Sequence, residues 1–200
     1  MSRYRGPRLR VMRALGVQLP GLSAKSIERR PHAPGQHGPR SRRKVSLYGE
    51  RLREKQKLRF HYGVTERQLR TIAEKATRAP GPTGDVIAQL LERRLDNVVF
   101  RAGFARTVPA ARQLVAHGHV LRNGQVVNVA SARVNRGDVI TIRERAHKAV
   151  GLQQSAGVPL ARPGWLEVDD VAFSARVASL PESDAIPFPI DVRLVIEFYA

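Results

Sequence analysis

The segment ARQLVAHGHVLRNGQVV, residues 111–127, carries two different backbone signals in succession. Its first half repeats apolar residues at helical spacing, and Gly118 supplies the left-handed residue with which helices commonly end. Asn123 and Gly124 tolerate the positive φ angles of a type I′ turn, and valines stand on both sides of that pair. The segment therefore predicts a helix that passes directly into a tight β-hairpin.

The neighbouring sequence extends this helix and hairpin into a small domain. Thr107 is placed to cap the helix, with a proline in the first turn. Three further strands are predicted at VITIRER (139–145), WLEVDD (165–170) and FSARVAS (173–179). On the N-terminal side, RLDNVVFRAGF (94–104) either continues an earlier helix or forms a short helix of its own.

The sequence from residue 46 to residue 93 is mainly helical in pattern. Helices are predicted in LYGERLREKQKLRFHYG (47–63) and in TERQLRTIAEKATRAPG (65–81), the second with capping-box spacing at its start. A third helix begins near Thr83 or Asp85. The C-terminal segment LVIEFYA (194–200) is apolar and fits either a strand or a helix.

The first 44 residues differ from the rest of the chain. They contain five prolines and five glycines and show little hydrophobic period. Such a segment has too little apolar surface to offset the entropy of ordering it. We therefore expect an irregular basic arm that becomes ordered on its partner.

Positive charge is concentrated in two separate blocks, within a formal net charge of +18. Residues 1–60 hold 17 basic and 3 acidic side chains, and residues 101–150 hold 9 and 2, whereas residues 151–200 hold 3 and 7. This distribution favours an extended polyanion that touches several surfaces over one small acidic ligand.

Several classes of function are excluded or disfavoured. The chain has no cysteine, which excludes disulfides and thiolate metal sites. His117 and His119 have no carboxylate at ligand spacing beside them, so we expect no metal there and no cofactor elsewhere. Neither a nucleotide-binding glycine motif nor a serine-hydrolase motif is present. No apolar run approaches the length of a membrane span, so we expect no membrane partner.

One triplet raises the possibility of an enzyme. Arg94-Leu95-Asp96 matches the triplet in which pseudouridine synthases carry a catalytic aspartate. In those synthases the triplet lies in a large catalytic domain that follows a module of this kind. Here the triplet precedes the helix and hairpin, and the residues after about 150 are too few for such a domain. A structural Asp96 that caps a helix or pairs with an arginine is the preferred interpretation.

Basic and polar residues around the helix and hairpin fit an RNA interface. Guanidinium groups bind phosphates in a bidentate manner, and their planes stack on unpaired bases. An imidazole after the helix is able to stack on a base or donate to a phosphate. The residues expected to project there are Arg106, Arg112, His119, Arg122 and Asn123.

Six stretches resemble the bacterial small-subunit ribosomal protein S-four family, and the resemblance runs nearly end to end. They are RYRGP (3–7), APGQHG (33–38), LREKQKLRFHYG (52–63), RLDNVVFRAGFA (94–105), ARQLVAHGHVLRNG (111–124) and LVIEFY (194–199). In the family, a helical domain is interrupted by an RNA-binding module, the alpha-L motif, and the C-terminal segment returns to the helices.

The resemblance therefore implies an α+β fold with three parts. The first is an irregular basic N-terminal arm at 1–45. The second is a small helical domain at 46–93 plus about 182–200. The third is an inserted RNA-binding domain at 94–181, which contains two helices and a small antiparallel sheet.

The resemblance also implies a non-enzymatic constituent of the small ribosomal subunit in the cytoplasm. Family members bind the five-way junction in the 5′ domain of 16S ribosomal RNA early in assembly. They contact ribosomal protein S-five, at a surface that affects decoding accuracy, and other small-subunit proteins. They also line the channel through which messenger RNA passes into the ribosome, and Arg40, Arg42, Arg43 and Lys44 match the basic stretch found there.

The expected RNA-binding residues combine the basic blocks with the family pattern. They are Arg3, Tyr4, Arg8, Arg10, Arg29, Arg30, His37, Arg40, Arg42, Arg43, Lys44, Arg51, Arg53, Lys55, Lys57, Arg59, Arg106, Arg112, His119, Arg122 and Asn123. Many family members also carry a zinc-binding Cys-x-x-Cys pair in the arm. Leu9 and Met12 stand at those positions here, which implies a metal-free arm that depends on packing and RNA for its order.

Two alternatives share the same RNA-binding module. The first is an RNA-modifying enzyme with Asp96 as its catalyst. The second is a stand-alone RNA binder that associates with stalled ribosomes and is not part of the subunit.

Overall fold

The computed structural model describes residues 4–40, 45–155 and 161–200, and the chain divides into two compact units. The first, called here the helical unit, comprises Met1–Ile87 and Ile186–Ala200. The second, called here the inserted unit, comprises Ala88–Ala185. The inserted unit thus interrupts the helical unit in the sequence.

The described part of the chain contains short helices and one antiparallel sheet. The α-helices are α1 (Arg8–Leu15), α2 (Leu47–His61), α3 (Glu66–Arg78), α4 (Thr83–Glu92), α5 (Leu95–Arg101), α6 (Val108–Ala116), α7 (Glu144–Ser155) and α8 (Val192–Tyr199). The strands are β1 (Val120–Arg122), β2 (Gln125–Val126), β3 (Val139–Ile142), β4 (Leu166–Asp169) and β5 (Ser174–Val177). Two 3₁₀ turns lie at Gly38–Arg40 and Ser183–Ala185. This α+β architecture confirms the predicted fold class.

Polar caps fix where the helices of the helical unit begin. The hydroxyl of Ser46 accepts a hydrogen bond from the Gly49 N–H at 3.2 Å, at the start of α2. Thr65 and Gln68 form the reciprocal capping box that their spacing predicts for α3. Each cap satisfies amide groups that have no partner within the helix. Both helices begin where the sequence predicts, which confirms these helix starts.

The C-terminal segment is a helix, which decides between the two conformations that its sequence allows. Helix α8 packs along α2, and Arg51 pairs with Glu197 at 2.8 Å. The Tyr199 hydroxyl donates to Oε1 of Glu66 at 2.8 Å. Burial and the neighbouring carboxylate raise the pKa of Tyr199, so its hydroxyl keeps the donated proton at neutral pH. Helix α8 is therefore joined to both α2 and α3.

The N-terminal arm is more ordered than its composition predicts. Met12, Leu19 and Leu22 are buried, and the Gly21 N–H donates to Nδ1 of His61 at 3.3 Å. This part of the arm packs against α2, so some of its few apolar residues are buried, whereas the ordering of the arm on a partner stays a prediction. From residue 17 to residue 37 the arm contains turns and bends without regular helix or strand.

The inserted unit is built on a five-stranded antiparallel sheet in the order β2-β1-β3-β5-β4. In the register of β1 with β3, Val120 lies opposite Ile142, and Leu121 lies opposite Thr141. Val120 and Ile142 are buried, whereas Leu121 and Thr141 are only partly buried. Because side chains alternate along a strand, one face of the sheet covers the core and the other is more accessible.

The hairpin turn between β1 and β2 has the predicted conformation. Asn123 and Gly124 have φ angles of 52° and 80°, as a type I′ turn requires at both central positions. Gly118 follows α6 with a φ of 66°, in the left-handed region that the sequence analysis assigns to it. The helix-to-hairpin passage predicted for residues 111–127 is confirmed.

A helix that the sequence analysis misses completes the core of the inserted unit. This helix is α7: the strand predicted at 139–145 ends at Ile142, and α7 begins two residues later. The segment 94–104, for which two possibilities were open, forms a short helix of its own, α5. Ala146 and Val150 of α7 are buried in the same cluster as Phe104, Val115 and Ile140. The missed signal is their helical spacing of four residues.

A buried ionic cluster lies at the start of α5. Asp96 has no exposed surface, and its two carboxylate oxygens accept hydrogen bonds from Arg94 at 3.1 and 2.8 Å. Arg112 of α6 donates to Oδ2 from Nε at 3.1 Å and from Nη2 at 2.6 Å. The Asn97 N–H also donates to Asp96 at 3.0 Å. Asp96 therefore joins α5 to α6, and the preferred structural interpretation of this residue is confirmed by its contacts.

We predict that Gly21→Ala loosens the arm. An added Cβ would lie 2.7 Å from the His61 carbonyl oxygen and 2.9 Å from its ring, so the backbone must shift. Overpacking of this kind costs about 1–3 kcal/mol. Hydrogen exchange of the α1 amides in the full-length protein should become faster. Gly164→Ala is the control, because its added Cβ meets no atom within 4 Å; equal exchange in the two variants would contradict the packing.

We predict that Asp96→Asn strongly destabilises the protein. The substitution leaves the guanidinium groups of Arg94 and Arg112 beside a neutral side chain, and breaking a buried ion pair costs about 3–5 kcal/mol. The free energy of unfolding in urea measures this loss. Glu167→Gln removes a charge from an exposed position of β4 and should change stability little. A loss below about 1 kcal/mol for Asp96→Asn would refute the role given to this cluster.

Candidate nucleic-acid interface

The helix that carries the candidate interface begins at a polar cap and ends at a glycine. Thr107 accepts a hydrogen bond from the Ala110 N–H at 3.4 Å, and Pro109 occupies the first turn. Arg106 precedes this cap and is exposed. His117, which caps the C-terminal end of the helix, is exposed, and His119 follows the glycine in a partly buried position. The helix therefore separates Arg106 from the two histidines by about three turns.

The hairpin tip is held in one geometry by a buried carboxylate. Asp138 accepts hydrogen bonds from Nε of Arg122 at 2.9 Å and from Nδ2 of Asn123 at 2.8 Å. Oδ1 of Asn123 in turn accepts from the Val139 N–H at 2.9 Å. Burial of Asp138 opposes its ionisation, but hydrogen bonds from Asn135, Asn123 and Arg122 outweigh burial and lower its pKa. The ionised carboxylate thus fixes Arg122 and Asn123 before any ligand binds.

Two arginines that follow β3 cover the C-terminal end of α6. Nη2 of Arg145 donates to the carbonyl oxygens of His117 at 3.4 Å and Gly118 at 3.5 Å. Nη1 of Arg143 also donates to Gly118 O, at 3.4 Å. Cations at this position neutralise the negative end of the helix dipole. The helix end and the start of β1 are thereby fixed relative to each other.

His119 is also bound through its ring. Nε of Arg145 donates to Nδ1 of His119 at 3.3 Å. Partial burial, followed by the charges of Arg145, His117 and Arg143, lowers the pKa of His119 below its usual value of 6.5. His119 is therefore neutral at physiological pH. Within residues 4–40, 45–155 and 161–200, no cluster of three or more metal-ligating side chains is present.

Two predicted contact residues have structural partners instead of free surface positions. Arg112 is bound to Asp96, and its side chain is only 25% exposed. Lys55 is buried, with its ammonium group 2.9 Å from Glu66 and 4.3 Å above the ring of Phe198. Both cations stabilise contacts between helices of their own unit. Lys55 is therefore buried and not at the surface, Arg112 is partly buried, and their contact with RNA stays a prediction.

The other predicted residues of α2 lie nearer the surface. Arg53 is exposed, whereas three neighbours are partly buried and have partners within the helical unit. Lys57 contacts Glu54 and the Pro189 carbonyl, and Arg59 contacts Gln56. The third neighbour, Arg51, is the residue already paired with α8.

The predicted residues of the arm are mostly accessible. Tyr4 is 44% exposed and lies edge-on to Phe60, with 5.2 Å between ring centroids. Arg8 is partly buried, with Nη1 3.4 Å from the Leu22 carbonyl oxygen. Arg10, Arg29, Arg30 and His37 are exposed. Arg3, Arg42, Arg43, Lys44 and the side chain of Arg40 lie outside the described residues.

Several surface cations of the inserted unit escape sequence-based selection. They include Arg143 and Arg145, whose side chains cover the end of α6, and the exposed residues Arg133, Arg136, Lys148, Arg162 and Arg176. Arg133 is also close to the hairpin, because its carbonyl oxygen accepts a hydrogen bond from Arg122 at 3.0 Å. For those in 101–150, the available signal was the excess of basic residues there, which was assigned to the helix and hairpin alone.

The position of Asp96 bears on the alternative of an RNA-modifying enzyme. Its carboxylate is fully buried and is occupied by two guanidinium groups and a backbone N–H. A catalytic aspartate needs access to its substrate, which this one lacks.

Among the described residues, no helix has the length and apolar character of a membrane-spanning segment.

Comparisons with known proteins give one consistent family. Residues 3–92 match the family described as ribosomal protein S4/S9 N-terminal domain, and residues 93–140 match the S4 domain. The small ribosomal subunit protein uS4 of Methylobacillus flagellatus is 54% identical over 202 residues, which cover 100% of this chain and 98% of that protein. The uS4B protein of Nitrosomonas europaea is 55% identical with the same coverage. The uS4 protein of Rubrobacter xylanophilus is 46% identical over 200 residues and the full length of both chains.

The two family matches meet between residues 92 and 93, near the point where α4 ends and the inserted unit has begun. The relatives cover the whole chain, including both parts of the helical unit. The resemblance stated from the sequence is confirmed, and the chain belongs to the uS4 family of small ribosomal subunit proteins, which are structural and not enzymes.

Proposed function

We propose that this protein is a structural component of the small ribosomal subunit that binds 16S ribosomal RNA directly and organises the junction in its 5′ domain. The observation that carries the proposal is the fixed basic surface formed by α6, the hairpin tip and the segment after β3. Arg122 and Asn123 are oriented by Asp138, and Arg145 is oriented by the end of α6. An interface that is ordered before binding loses less conformational entropy when the RNA docks.

The surface is suited to the RNA backbone more than to a base sequence. Its members are mainly arginines, which bind phosphate oxygens in bidentate geometry. Contacts to phosphate and sugar set position and orientation but read no sequence. Selection of the junction then depends on the folded shape of the RNA, which presents phosphates at the spacing of these cations.

The exposed cations of the arm form a second RNA-binding region within the proposal. Arg10 of α1 is exposed, and so are Arg29 and Arg30, which lie in a part of the arm without regular helix or strand. We propose that the arm lies on RNA and that its basic stretch at Arg40–Lys44 contributes to the messenger RNA channel. Contact with ribosomal protein S-five and an effect on translational accuracy belong to the same proposal.

The competing function is a stand-alone RNA binder that visits ribosomes transiently. The relatives match this chain over nearly their full length, and they are named as proteins of the small ribosomal subunit. This similarity favours stable residence in the subunit. The buried position of Asp96 disfavours the RNA-modifying enzyme.

We predict that the protein sediments with mature small subunits after a high-salt wash. A structural component has contacts with RNA over both basic blocks, and their combined binding resists partial screening. The measurement is quantitative detection of the protein in subunit and supernatant fractions across a salt series. Release into the supernatant at salt concentrations that leave other small-subunit proteins bound would support the transient binder and contradict our proposal.

We predict a steep salt dependence for binding to the isolated 5′-domain RNA. If about ten phosphates are neutralised, log K against log salt has a slope of roughly −7 to −9. Arg106→Gln should make the slope shallower by about 0.7–0.9, because one phosphate contact is lost. Arg193→Gln removes an exposed charge from α8, outside the proposed surface, and serves as the matched control. A slope near zero for the wild type, or equal effects of both variants, would contradict the mechanism.

A further inference from the structure

His119, the first residue after Gly118, is held by an unusual combination of contacts. Its ring nitrogen Nδ1 and two carbonyl oxygens of the preceding residues all accept hydrogen bonds from one side chain, Arg145, at 3.3–3.5 Å. The Arg143 N–H donates to the His119 carbonyl oxygen at 2.9 Å. Both the backbone and the imidazole of His119 are therefore fixed by the segment that follows β3.

The direction of the hydrogen bond to the ring determines where its proton lies. A guanidinium group has donors only, so Nδ1 of His119 must supply a lone pair. In a neutral imidazole, the other nitrogen then carries the hydrogen. No hydrogen-bond partner of Nε2 is present among the described residues, and the ring is only partly buried. The Nε2–H group is thus available to an external acceptor.

The charges that face the ring oppose its protonation. Arg145 of α7, Arg143 between β3 and α7, and His117 at the end of α6 are the groups whose charges act on His119. All three repel an imidazolium cation, and partial burial acts in the same direction, so the pKa of His119 is lowered. A second proton on Nδ1 would also break the bond from Arg145.

We infer that Arg145 holds His119 as the neutral Nε2–H tautomer, so that the interface presents an uncharged hydrogen-bond donor to an acceptor atom of the RNA. Arg145 is a positioning residue, and His119 makes the contact. The RNA contact rests on the proposed function, whereas the tautomer is a property of the protein alone. Among the arginines around it, a neutral donor adds directional recognition without adding to the counterion-dependent part of the affinity.

The pH dependence follows from the direction of the pKa shift. Since the pKa of His119 in the folded protein lies below 6.5, the unfolded chain binds more protons between those two values. The stability contributed by the neutral ring is complete above pH 6.5 and is lost as the pH falls through the folded pKa. The uncharged ring is therefore the major form at and above pH 6.5.

The tautomer is tested in the free full-length protein labelled with ¹⁵N-histidine. Long-range ¹H–¹⁵N correlation spectra distinguish protonated from unprotonated ring nitrogens, and His119→Gln identifies the relevant signals. We expect a protonated Nε2, an unprotonated Nδ1 and a titration midpoint below 6.5. Arg145→Gln should mix the tautomers and raise the midpoint. Arg136→Gln is the matched control, because its guanidinium donates to the Ala178 carbonyl and not to His119.

Two results in these spectra would overturn the inference. The first is an Nδ1–H tautomer, or a midpoint at or above 6.5, in the wild-type protein. The second is an Arg145→Gln spectrum in which the His119 signals and midpoint match those of Arg136→Gln. The wild-type measurement needs no variant, so it decides the tautomer even if Arg145→Gln is unstable.

The RNA contact is tested by the dissociation constant for the 5′-domain RNA at about pH 7.5 and 8.5. We expect His119→Phe, which keeps a planar ring but has no donor, to weaken binding about two- to tenfold, the effect of one lost hydrogen bond, with the same ratio at both pH values. A ratio that grows as the pH falls would mean that the imidazolium binds, and a ratio of one would mean that His119 makes no contact. Either result overturns the RNA part of the inference. Absence of any binding by the wild type would instead overturn the proposed function.

Discussion

The carboxylate of Asp96 is the point on which the inserted unit depends. It is fully buried and accepts hydrogen bonds from Arg94, Arg112 and the Asn97 N–H. The backbone of residues 93–96 also exchanges hydrogen bonds with residues 130–134, which lead into β3. The carboxylate therefore joins α5 to α6, the backbone bonds join the start of α5 to a loop of the sheet, and the proposed RNA surface depends on both.

Arginine performs two separate tasks in this chain, and its surroundings decide which. Arg112 faces a buried carboxylate and acts within the core, whereas Arg145 faces the carbonyl oxygens of a helix end and remains exposed. Arg122 is intermediate, because it is anchored by Asp138 but keeps part of its surface. A basic composition therefore overstates the number of cations at the surface. Part of the positive charge is paired with carboxylates inside each unit.

Local sequence signals predicted the elements with distinctive backbone chemistry. The capping box of α3, the glycine end of α6 and the positive φ angles at Asn123 and Gly124 follow from residues a few positions apart. Interactions between distant residues were not predictable in the same way. The burial of Met12 depends on packing against α2, and the roles of Lys55 and Arg112 depend on acidic partners in other helices. Helix α7 was missed because its first residues continued an alternating strand pattern.

The discontinuity of the helical unit has a consequence for the order of folding during synthesis. Domains generally fold as units while the chain is made from its N-terminus. Helices α2 and α3 are made early, but the partner that joins them, α8, is added only after all of Ala88–Ala185. The inserted unit has its complete set of strands and helices before Tyr199 reaches Glu66. The chain therefore supplies every segment of the inserted unit before the helix that closes the helical unit exists.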